Sequence, residues 1–172
     1  MNILFRQILN NKEAASLPSL RESGGLPVLI SGLSAVHRAN LAAALAESPE
    51  EKLFVVCPDD TAAENFANDL RSMLGEEVNL LGMREFTFYP SEAVSRQAEQ
   101  KRISALRVLA SGGARIHVTS IPALIQRTIP KDLLQSAAFE IHNGDAVSPE
   151  AVETALLRCG YSRSEQVDGP GQ

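Results

Sequence analysis

The sequence predicts an α/β fold, a parallel sheet with helices on both faces, followed by the start of a small α+β unit. Three observations predict it. Short apolar runs bounded by breakers recur at 28–33, 53–58, 78–81 and 115–120, as expected of strands buried on both faces. Stretches of helical periodicity separate them, the alternation of a parallel sheet with right-handed crossovers. Past residue 127 the alternation stops, and a strand-like run, a tight turn and a capped helix take over.

Taken in order, residues 3–9 read as a short helix, followed by a polar stretch and a Gly-Gly-Leu-Pro turn at 24–27. After the first strand, 36–47 is rich in the helix formers Ala and Leu, with Leu41, Ala44 and Leu45 on one face. The second strand is stopped by Pro58. Asp60 stands where an N-cap belongs, and Ala63, Phe66, Ala67, Leu70 and Leu74 then keep helical spacing as far as Gly75. A third, weaker strand leads into MREFTFYPSE at 83–92, a loop carrying the aromatic cluster Phe86, Phe88 and Tyr89. The helix at 93–110 has an apolar side at Ala98, Ala105, Leu106 and Leu109, and Gly112-Gly113 closes it. The fourth strand is followed by a helical turn through Leu124 and Ile125. Thr128-Ile129-Pro130-Lys131 marks a boundary, dividing the chain into units 1–127 and 128–172. In the second unit a strand-like run at 138–142 ends in the tight-turn pair Asn143-Gly144. Ser148-Pro149-Glu150 opens a helix whose apolar face is Val152, Ala155, Leu156 and Cys159, and the tail from Tyr161 begins another strand.

The bulk numbers bound the function. A net charge of −5 lacks the basic surplus by which strong nucleic-acid binders displace counterions, and suits a protein partner better. No apolar run is long enough to span a bilayer and no secretory signal opens the chain, so a cytoplasmic protein is expected. Cys57, Cys159, His37, His117 and His142 are scattered, whereas a zinc site needs clustered ligands; no metal site is predicted. There is no GxSxG motif and no Ser/His/Asp grouping. The paired acids Asp59-Asp60 and Glu76-Glu77 read as turn, cap and solvated residues. No catalytic residue is assigned.

One loop invites comparison with a phosphate-binding loop. A working phosphate loop, GxxxxGK[ST], uses glycines to turn backbone amides toward phosphate, a lysine to reach it and a hydroxyl to bind magnesium. Aligned on Gly32, the chain has His37 at the second glycine, Arg38 at the lysine and Ala39 at the hydroxyl. A side chain at His37 crowds the loop, Arg38 keeps the charge with a different reach, and Ala39 cannot ligate a metal. On this segment alone, a decayed hydrolase and an ordinary Rossmann-like turn are equally open.

The order of segments extends the comparison. The degenerate loop, FVVCPDDTAAENFANDL, REFTFYPSEAVSRQAEQKRISALRVLASG, RIHVTSIPALIQRTIP and GDAVSPEAVETALLRCGYSRSEQVDGPGQ together resemble the N-terminal region of the bacterial transcription-repair coupling factors (Mfd). That region is itself similar to the start of UvrB. The resemblance covers about 25–172. It implies a helicase-like α/β domain that has lost ATP hydrolysis and a second domain that docks UvrA. The motor with its ATP and magnesium, and the surfaces for RNA polymerase and DNA, lie elsewhere in the family's chain, so no cofactor is expected here. The residues that contact UvrA in the family fall just past Gln172, and the incomplete second unit is expected to be mobile or self-associated. In UvrB the loop is intact, so His37, Arg38 and Ala39 favour the coupling factor; the alternative is a UvrB-type ATP-binding fragment. Arg96, Gln100 and Arg107 share a helix face, open to phosphates or an acidic partner, or simply solvated, which the charge balance favours. Phe86, Phe88 and Tyr89 are either loop anchors or a stacking platform for a base.

Overall fold

The computed structural model of the chain describes residues 15–25, 27–46, 52–75, 78–84 and 96–165. The predicted helix at 3–9, Glu76-Glu77, the aromatic residues Phe86, Phe88 and Tyr89, and the closing Gly-Pro-Gly run lie outside the described residues. The elements, in chain order, are α1 (Leu17–Glu22), α2 (Ala35–Leu45), β1 (Leu53–Cys57), α3 (Asp60–Leu74), β2 (Val78–Leu81), α4 (Arg96–Ser111), β3 (Ile116–Ser120), α5 (Ile121–Ile125), α6 (Lys131–Ala137) and α7 (Pro149–Arg158).

Three of the four predicted strands pair, all parallel, in the order β1-β3-β2. The central place falls to IHVTS, which is buried at all its positions. Parallel neighbours need crossovers rather than hairpins, and α3 and α4 supply them. Alternation along the strands then sorts the side chains. Ile116, Val118, Val78 and Cys57 join Ala63, Ala67 and Leu70 of α3 in the core. Asp59, one residue earlier than the predicted cap, accepts from the Ala62 amide at 2.8 Å, and Gly75 ends α3 at φ 64°. The α2 residues Ala43 and Ala44 complete this layer.

The opposite face carries Phe54, His117 and Asn79 in one row. There α4 covers β2, and the Asn79 amide donates to the Ala105 carbonyl at 2.9 Å. Over β1 the face stays open, with Phe54 and Val56 46% and 45% exposed.

The predicted strand at 28–33 is a correction: these residues form no strand, and Val28, Leu29 and Ile30 are exposed, Leu29 by 94%. An apolar run becomes a strand only where a neighbour satisfies its backbone, and among the described residues β1 pairs with β3 on one edge and with nothing from 28–33 on the other. The local turn survives, with Gly32 at φ 80° and Ser34 capping α2. In the second unit 138–142 and 161–165 are likewise not strands, although the turn at Asn143-Gly144 forms, with Gly144 at φ 100°. Helices α1 and α6 fall where the sequence predicts a polar stretch and a boundary. Neither α6 nor α7 contains a buried residue; α6 lies against α4. Among the described residues no helix is long and apolar enough to cross a membrane.

Candidate functional site

In an open parallel sheet, ligands bind where the carboxyl ends of the strands meet the following helices. The loop at 32–39 follows no strand, but it brings Arg38 near the carboxyl end of β1. Gly32 takes its positive φ in open space, where an added Cβ would meet nothing within 4 Å, so the glycine answers to backbone conformation and not to a close neighbour. Two residues on, Ser34 takes the cap position of α2. Its hydroxyl accepts from the His37 amide at 3.4 Å and lies 2.9 Å from His37 Nδ1. One of the amides that an anion would seek at a helix N-terminus, that of His37, is therefore occupied from within.

The three substituted positions separate. His37 and Arg38 are exposed, while Ala39 is 0% exposed and Asn40 8%. Ala39 thus packs inside, and a methyl group there offers no metal ligand. Arg38 is close enough to the end of β1 to act on Cys57, whose thiol pKa is pushed up by burial and by Asp59, with Arg38 opposing. A buried, raised thiol is an inert one.

A second cluster gathers at the ends of β2 and β3. Asp60, the first residue of α3, accepts from the Ser120 hydroxyl and from the Met83 amide, the latter at 2.9 Å. Ser120 in turn accepts from the Ala123 amide at 3.1 Å, capping α5. Beside them the Arg102 guanidinium, 8% exposed, donates to the Gly82 carbonyl and, at 3.3 Å, to that of Ala123. Burial lowers the Arg102 pKa, with Asp60 opposing and Arg84 reinforcing the shift. Arg84 and Gln126 exchange hydrogen bonds at 2.7 and 2.9 Å. Every named group here is spent on protein partners, so the cluster locks the strand ends together and leaves no nucleophile with a free base. Among the described residues no group of three His, Cys, Asp or Glu side chains could hold a metal ion.

Asp60 and Arg102 escape the sequence reading as lock residues. A signal for Arg102 exists: it falls between Ala98 and Ala105 on the stripe that is otherwise apolar, and a charge there must find buried acceptors. Of the residues proposed to contact phosphates or a partner, Arg96 opens α4, Gln100 is exposed, and Arg107, also exposed, is ion-paired with Glu140 of the second unit.

No family model matches the chain. Curated proteins do. The chain is 26% identical over 145 residues to the transcription-repair-coupling factor of Bacillus subtilis, covering 84% of this chain and 12% of that protein. The Myxococcus xanthus transcription-repair-coupling factor is 27% identical over 155 residues, covering 86% and 13%. For that of Escherichia coli the values are 24% over 144 residues, 84% and 12%. The chain is thus similar over most of its length to transcription-repair-coupling factors. It spans only about an eighth of the length of these relatives, so what the whole proteins do is carried to this chain as a proposal.

Proposed function

We propose that the chain is the N-terminal, UvrB-like module of a cytoplasmic transcription-repair coupling factor, acting in transcription-coupled excision repair as a non-catalytic scaffold. In this reading 1–127 is a degenerate helicase-like domain and 128–172 the beginning of the unit that docks UvrA. The parent protein would displace stalled RNA polymerase by ATP-driven translocation on DNA through its other domains. The observation that carries the non-catalytic part is the state of the loop. Ser34 occupies the amide of His37, and Ala39 is packed out of reach of any metal. Relatedness over most of the chain supports the repair-coupling part.

Two measurements test the two parts separately. Titration with Mg·ATP should show no saturable binding; micromolar affinity that disappears in Arg38→Ala would restore the UvrB-type alternative. Titration with UvrA should show binding by a form extended past Gln172 and little by 1–172. Absence of binding by both would remove the repair-coupling role.

A further inference from the structure

Asn79 and His117 sit side by side on the sheet face that α4 covers. The Asn79 Nδ2 group lies 2.9 Å from the Ala105 carbonyl of α4 and 3.0 Å from His117 Nδ1. A carbonyl can only accept, so Asn79 must present its amino group there, and its second hydrogen falls to the imidazole. His117 Nδ1 is therefore an acceptor, and the ring is neutral with its proton on Nε2. The ring is 7% exposed and lies 6.2 Å from the Phe54 ring.

We propose that the Asn79–His117 pair is an acid-released latch that holds α4 on the sheet. Protonation of Nδ1 turns two facing groups into two donors. Rotating the amide cures that contact only by setting its oxygen against the Ala105 carbonyl. No orientation of Asn79 satisfies both neighbours once the imidazole is charged, so α4 loses this tie to β2 and keeps that of Arg102 to the Gly82 carbonyl just past the strand. The surroundings do not rescue the charged ring. Lys52 precedes β1, Arg115 precedes β3, and α4 brings Lys101, Arg102 and Arg107; the α4 carboxylate Glu99 is paired with Arg84. Burial lowers the His117 pKa, the Ala114 backbone opposes and Lys52 adds to the lowering. The sign follows. The freed imidazole takes its proton near its ordinary value of about 6.5, the docked one only at lower pH, so the latch contributes fully above that value and weakens as pH falls below it. Since α4 also carries the Arg107–Glu140 ion pair, its release loosens the tie between the two units.

Imidazole NMR titration and hydrogen exchange of the α4 amides, corrected for intrinsic rates, test this in the full chain between pH 7.5 and 5. His117 should titrate below about 6.5, with α4 opening up to tenfold more frequent per pH unit in the window. His117→Asn, which keeps an acceptor and cannot titrate, should flatten that profile. Asn79→Asp, which offers the imidazolium an acceptor, should raise the His117 titration and reverse the slope. Exchange that is pH-independent in the native chain, a slope that persists in H117N, or a His117 titration unmoved by N79D would each overturn the latch.

Discussion

At the scale of single residues, burial decides which charges matter. Arg107 and Glu140 form an exposed ion pair, and such pairs contribute about 0–1 kcal/mol. Arg102 is different, because its guanidinium is buried between the backbone carbonyls of Gly82 and Ala123. Arg102→Met should cost about 3–6 kcal/mol, from two charged hydrogen bonds worth roughly 1.5–3 kcal/mol each, while E140Q should stay below about 1 kcal/mol. Urea unfolding of the two variants, compared at constant slope, checks the contrast. The loop gives a second residue-scale expectation. Rebuilding it as His37→Gly, Arg38→Lys and Ala39→Thr should not create a nucleotide site. Position 39 is fully packed, so the threonine overpacks the α2 layer at about 1–3 kcal/mol. A fluorescent-nucleotide titration with saturable binding by a still-folded triple variant would refute this.

At the scale of elements, periodicity reports a helix well and a lone strand badly. The spacing of Ala63, Ala67 and Leu70 was enough to place α3, because a helix closes its own hydrogen bonds and its apolar stripe needs only something to lie on. The run at 28–33 looks as apolar as β1 or β2, but a strand draws its hydrogen bonds from elsewhere in the chain, and nothing local says whether a partner is there. The stability consequences differ accordingly. Leu70→Ala, in the core, should cost about 2–5 kcal/mol, whereas Leu29→Lys, at 94% exposure, should stay within about 0.5 kcal/mol of the parent. Thermal unfolding of both variants measures the difference directly. The lock at the strand ends was legible only in fragments: Ser120 and Asp60 are 60 positions apart, and no local pattern joins them.

At the scale of the whole molecule, the apolar core is confined to the sheet and its helices. It lies between the sheet and α2–α3, and α6 and α7 contribute nothing buried. Leu133, Phe139, Ile141 and Leu157 are each more than 40% exposed. Protection against hydrogen exchange follows burial and hydrogen bonding, so β3 should be the slowest segment to exchange and 131–158 among the fastest. Equal protection in the two would show that the second unit carries stability of its own. By itself the sequence determined the α/β class, the elements from 53 to 125, the end of α3 at Gly75, the cap of α7, and the absence of a lysine and a hydroxyl at positions 38 and 39. These follow from local chemistry, in which a residue's own backbone preference and its neighbours at i+3 and i+4 suffice. Only the tertiary structure decided that 28–33 stays unpaired, that Ala39 is sealed inside, and that Asp60, Ser120 and Arg102 lock the strand ends while Asn79 joins His117 to α4. Each of those depends on how parts far apart in the chain come together, by pairing, by packing or by a hydrogen bond, and local sequence carries no record of which ones meet.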